Sequence, residues 1–124
     1  MGAWIKVGPG ELVDRLTILE LKRDRINDPL KVARAREQLG AVTDALRAEP
    51  GLADRRVREL VTMHAEELRS VNASLWDIEA RLRACEDAGR FDVEFVELAR
   101  SVYRLNDRRA AAKARIDALC GSSI

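Results

Sequence analysis

The sequence predicts an all-α fold, a four-helix antiparallel bundle built on one long helical hairpin with a shorter hairpin packed on one side. Three observations predict it. Phe91, Phe95, Leu98, Val102, Leu105, Arg109, Ala112, Ile116 and Leu119 step four then three residues throughout, the spacing of a helix face that meets another helix. Val57, Val61, His64, Leu68, Val71, Leu75, Ile78, Leu82 and Cys85 do the same. Ala, Leu, Arg and Glu dominate, aromatic residues make up 4% of the chain, and Gly and Pro are confined to a few places, which favours helix over sheet.

Length sets one domain over residues 1–124, with an arm at 1–9, a short helical hairpin at 10–48 and a long one at 54–119. In the arm, Ala3 to Val7 is short and β-prone until Gly8-Pro9-Gly10 ends it. A single strand has no partner, so an extended arm is expected, with pairing across a dimer as the alternative. The first helix runs from about Gly10 to Asn27 on a main stripe of Leu12, Leu16, Leu19 and Ile26. Ile18 and Leu21 lie on its opposite side, so this helix is central or shared with a second subunit.

Pro29 suits the first position of the second helix, which spans about Pro29 to Ala48 on Val32, Ala35, Leu39, Val42 and Leu46. Pro50 and Gly51 break it, and Asp54 is placed to cap the third helix, about Asp54 to Ala88. Gly89 ends that helix, and Asp92 lies in the first turn of the fourth, where a negative charge suits the helix dipole.

Lys and Arg number 22 against 21 Asp and Glu, a net charge of +1. Phosphate binding along nucleic acid needs a basic excess over a whole face, so no nucleic acid is expected as a partner. No stretch is apolar enough for a signal peptide or membrane span, so a cytoplasmic protein that does not enter membranes is expected. Cys85 and Cys120 have neither metal-site nor redox-pair spacing. At opposite ends of the long hairpin they lie roughly 40 Å apart and are expected as reduced thiols. No metal and no cofactor are expected: no His pair has ligand spacing and no glycine loop suits a phosphate.

A short turn forces the two long helices antiparallel. Folding about Ala88 and Gly89 sets Leu75 opposite Val102, Leu68 opposite Arg109, and His64 beside Ala112 and Lys113. The seam is then apolar from Phe91 to Leu105 and polar beyond, and Ala110 to Ala112 leave room there. One side of the hairpin, carrying Ala65, Arg69, Asn72, Trp76 and Glu79 with Val96, Ala99, Tyr103, Asn106 and Lys113, should face the first two helices.

That side predicts a semi-buried polar cluster of Asn72, Trp76, Glu79, Tyr103, Asn106, Arg109 and Lys113, joined by Glu11, Arg15 and Glu20 from the first helix. Arg supplies a planar fork and Lys a point charge for carboxylate or phosphate. Asn supplies amides, and Trp and Tyr supply faces for a ring or sugar. Glu79 or Glu20, if desolvated, could act as acid or base beside Arg109, the three candidate catalytic residues. The plainer alternative is an internal ion pair, Arg109 with Glu67 or Glu20, its stem packed in the seam. His64, the sole histidine, is expected as a neutral core residue.

The blocks GELVDRLTILELKRDRINDP at 10–29, NASLWDIEARLR at 72–83 and FVELARSVYRLNDRRAAAKARI at 95–116 resemble an uncharacterised bacterial domain family. Its members are small proteins or domains near glycosyltransferases and tetratricopeptide-repeat proteins, often among surface-polysaccharide genes. The resemblance marks Glu11, Asp14, Thr17, Glu20, Asn72, Trp76, Glu79, Tyr103, Asn106, Asp107, Arg108, Arg109 and Lys113 as motif positions.

Three functional readings follow. The first is a helical protein that binds an anionic small molecule, a sugar phosphate, sugar nucleotide or carboxylate, in glycan or specialised-metabolite biosynthesis. The sugar element comes from the resemblance alone. The second is a small all-α enzyme of mutase, lyase or isomerase type, by architectural analogy with the all-α chorismate mutases, which hold a dicarboxylate with Arg, Lys and Glu. The third is an interaction module with no pocket chemistry, a homodimer or the partner of a glycosyltransferase or another biosynthetic protein, docking through Ile18, Leu21 and the basic face of the last helix.

Overall fold

The computed structural model describes residues 2–122, and among these the regular structure is all helical: α1 (Pro9–Arg25), α2 (Pro29–Arg47), a single 3-10 turn (Pro50–Leu52), α3 (Arg55–Asp87) and α4 (Val93–Leu119). Residues 2–8 form the expected arm without regular structure. The antiparallel α3–α4 hairpin is the frame, α1 packs on both its helices, and α2 packs chiefly on α1. The bundle is therefore three helices deep, with α2 as an outer ply.

Local chemistry sets each boundary. Asp54 caps α3 by accepting from the amides of Arg56 and Val57 at 2.8 and 3.2 Å. Asp28 does the same for α2 through Leu30 and Lys31, with Pro29 at its first position. Gly89 takes φ +64°, so the amide of Arg90 reaches back to the carbonyl of Cys85 at 2.8 Å and closes α3 in a Schellman turn. Asp92 stands just before α4 rather than inside its first turn, and its carboxylate accepts from the amide of Phe95.

The seam follows the four-and-three repeat. Leu68, Ala112 and Ile116 have no exposed surface, and with Val13, Val61 and Ala65 they form the core at the end of the hairpin where α1 lies. Cys85 and Leu98 are buried nearer the tip, but Phe91 is exposed and packs edge-to-face with Phe95, ring centroids 5.2 Å apart. Both cysteines are free thiols. Of the three alanines expected to leave room in the seam, only Ala112 is buried.

α1 approaches α4 closely. A Cβ at Gly10 would stand 2.3 Å from the carbonyl oxygen of Lys113, so this position admits only glycine without a shift of backbone. The amide of Gly10 donates to Asp117 Oδ1 at 2.7 Å, so a carboxylate from α4 caps a helix whose own N-cap, Gly8, has no side chain to do so.

The inward face of α1 differs from the one its leucines suggest. Gly10, Val13, Asp14 and Thr17 are buried, whereas Leu12 and Leu16 are half-buried and Leu19 and Ile26 line grooves shared with α2. The leucine stripe serves the outer ply, and a mixed polar stripe meets the hairpin. Gly10→Ala is expected to cost about 1–3 kcal/mol in urea unfolding by forcing the helices apart. Gly40→Ala, mid-α2 with nothing within 4 Å of the added carbon, is expected to stabilise by up to about 1 kcal/mol.

Candidate functional site

The inward polar stripe of α1 meets the polar end of the α3–α4 seam at Asp14. This carboxylate has no exposed surface. Arg109 donates to both its oxygens, Nε to Oδ1 at 2.9 Å and Nη2 to Oδ2 at 2.5 Å, a two-point fork on a planar acceptor. Asn72 Nδ2 donates to the same Oδ1 at 2.9 Å and to Thr17 Oγ1 at 2.8 Å, while Thr17 Oγ1 donates to the Asp14 carbonyl. Lys113 Nζ lies 4.0 Å from Asp14 Oδ2 and 2.5 Å from Glu11 Oε2, and Arg15 holds the other oxygen of Glu11 at 3.1 Å. Among the described residues no buried side-chain polar atom lacks a partner.

Burial alone would raise the Asp14 carboxyl, but hydrogen bonds from Arg109 and Asn72 and the charges of Arg109 and Lys113 outweigh it and hold it below its ordinary 3.8. The hydrogen bond from Lys113 lowers Glu11 against a smaller contribution from burial. The hydrogen bonds that Arg109 donates to Asp14 raise its already high pKa further. The linked cations Arg15, Lys113 and Arg109 are balanced by Glu11, Asp14 and the nearby charge of Glu79, so the cluster carries no net positive field.

The structure brings together part of the expected cluster. Asn72, Arg109, Lys113, Glu11 and Arg15 are linked as described, and Trp76 and Glu79 join Asn72, Arg109, Ile18, Leu21 and Leu75 around a shallow cleft of about 130 Å³. Arg109, forked on Asp14 through Nε and Nη2, also lines this cleft. Trp76 is half-buried, with the Arg25 guanidinium 6.0 Å over its ring. Tyr103 and Asn106 are not brought in. Both face solvent on α4, and Tyr103 carries only the Arg104 guanidinium over its ring. Both are level with α3 residues that α1 spans, so their outward face on α4, and not distance along the hairpin, leaves them out.

The two candidate acids lack the expected environment. Glu20 accepts from Arg69 Nε and Nη2 at 3.3 and 3.0 Å, and Glu79 is exposed with Arg83 at 3.8 Å, so neither is a desolvated, unpaired carboxylate. The partner of Arg109 is neither Glu67 nor Glu20: Glu67 lies near His64, Arg108 and Arg115 instead. Asp14 and Thr17 are the residues that reasoning from composition and spacing passed over. Their signal was the run Gly10, Val13, Asp14, Thr17, at the same three-and-four spacing as the leucines, with an acid where a buried arginine needs one.

Fold and site together define a small helical bundle clamped by a satisfied buried ion-pair network. Nothing matches the chain in comparisons with protein-family models, curated proteins and solved structures. Among the described residues no group of three or more His, Cys, Asp or Glu side chains is placed to hold a metal ion. No helix there is long and apolar enough to cross a membrane.

Arg109→Ala is expected to cost about 3 kcal/mol, because it strips the main partner from a buried carboxylate while leaving Asn72 and Lys113 nearby. Acid acts on the same group. With the folded Asp14 and Glu11 carboxyls below their unfolded values, their stabilisation is complete above pH 4.5 and lost as pH falls through the lower folded values. Asp14→Asn is expected to flatten that acid limb in denaturation curves taken from pH 7 to 3.

Proposed function

We propose that this chain is an interaction module whose polar cluster clamps α1 in place and whose uncovered half-hairpin pairs with a second copy. One observation carries this reading. α1 has 17 residues and α3 has 33, about 25 and 50 Å, and the last contacts of α1 are those of Arg25 with Trp76 and Asp77. Beyond them, the outer half of the hairpin has no part of α1 against it.

On that half Val96 is 49% exposed, Ala99 is exposed about one turn further on, and Phe91 and Val93 are exposed at the tip. An apolar strip of this kind on an otherwise charged surface marks an interface. Glu79 and Arg83 border it on α3, one turn apart and of opposite sign. A two-fold axis brings each to the other on its copy, which makes the face self-complementary. The closed, charge-balanced cluster supports this reading over catalysis, since its groups are spent on one another.

Binding of an anionic small molecule is the second reading, supported by Arg109 and Trp76 at the cleft. A cleft of about 130 Å³ suits a phosphate or carboxylate group and not a whole sugar nucleotide.

Sedimentation equilibrium is expected to give a concentration-dependent dimer that Val96→Glu or Val93→Glu converts to monomer at unchanged helicity and unfolding temperature. A monomer at every concentration contradicts the pairing. For the second reading, a sugar phosphate at a hundred times its dissociation constant would stabilise the fold by about 2.7 kcal/mol. Loss of that gain in Trp76→Ala would place the ligand at the cleft.

A further inference from the structure

The outer ply carries a surface that neither the clamp nor the bare half-hairpin explains. Two adjoining grooves run between α1 and α2, about 390 and 200 Å³, and share Lys22 and Gln38. Their floor is apolar: Ile18, Leu19 and Ile26 from α1, Ala35 and Val42 from α2. Leu19 and Ala35 are 6% and 4% exposed, so the floor is recessed. The rim is cationic. Lys22, Lys31 and Arg34 border the grooves and form no ion pair among the described residues, no Asp or Glu lines either groove, and Arg15 at one end is held by Glu11. In a chain of net charge +1 whose other cations are largely paired, three unpaired cations around one apolar trough are a local excess.

We infer that this trough docks an acidic amphipathic helix of a partner protein. From Arg15 to Ile26 it follows α1 for about 16 Å, three turns of a helix laid alongside. Such a helix sets apolar residues at i, i+3/i+4 and i+7 into the floor, with Asp and Glu on its flanks toward Lys22, Lys31 and Arg34. The recess selects the partner's shape. A bilayer surface is flat and does not reach side chains below a charged rim, whereas a convex helix does. An apolar floor likewise gives nucleic acid nothing to bond. Docking there also covers the face of α2 that α1 leaves open. The inference is independent of the self-association proposed above, since the trough and the half-hairpin lie on different elements.

The test uses the full-length chain and a set of fluorescent 16-residue helical peptides in anisotropy titrations. One group carries a Leu/Ile face flanked by Glu, a second the same face flanked by Lys, and a third the acidic composition scrambled to abolish the face. Acidic amphipathic members are expected to bind, with at least about tenfold weaker binding for the scrambled and Lys-flanked groups. Lys22→Glu with Arg34→Glu is expected to weaken binding about tenfold or more, with helicity and unfolding temperature unchanged, because these side chains are exposed and unpaired. Val42→Glu tests the floor in the same way. Val96→Glu, which targets self-association, is expected to leave peptide affinity unchanged. Failure of every acidic amphipathic peptide to bind, equal binding of the scrambled group, binding indifferent to the charge reversals, or preferential binding to anionic phosphatidylserine vesicles overturns the inference.

Discussion

The contact between Asp14 and Arg109 is the constraint on which the arrangement of helices rests. Removing a carboxylate from water costs several kcal/mol unless its acceptor sites are filled. Here they are filled from three directions: Arg109 on α4 forks both oxygens, Asn72 on α3 donates to one, and Lys113 adds its charge at 4.0 Å. The pair therefore selects one docking geometry, which an apolar stripe alone would leave free to slide or turn.

The rest of α1 is built around that point. Its N-terminus is capped by Asp117 and pressed against the α4 backbone at Gly10, and its C-terminal half is tied by Glu20 to Arg69 and by Arg25 to Asp77. Val13 is the apolar residue that the inward face of α1 adds to the main core, so geometry is held there by polar contacts more than by buried area. α2 in turn packs chiefly on α1 and depends on it. This order leaves two surfaces outside the clamp, a half-hairpin that α1 is too short to cover and a cationic trough on the outer ply.

Much of this architecture was legible because its signals are local. The hairpin seam reads directly from two long four-and-three repeats, and the Asp54, Gly89 and Pro29 boundaries from capping chemistry. The hairpin side chosen from handedness is right for α3, where Arg69 and Asn72 meet α1. It fails at Tyr103 and Asn106, because the line of α4 that meets α1, through Arg109, Lys113 and Asp117, is set by tertiary packing and not by either helix alone. The rotation of α1 was hidden for a different reason. Its leucine stripe is the stronger apolar signal, but α2 needed an apolar partner too, and Arg109 needed an acid that only the weaker stripe holds. Arg109 announced a buried partner without saying which carboxylate would supply it.

The most direct test of the clamp is a double-mutant cycle on Asp14→Asn and Arg109→Met, with stability read from urea unfolding at pH 7. A clamp that selects the docking of α1 predicts strong coupling, about 2–3 kcal/mol, with the double variant far less destabilised than the two single losses added together. Coupling near zero would contradict it, because Asp14 and Arg109 would then be held by the rest of the fold rather than holding it.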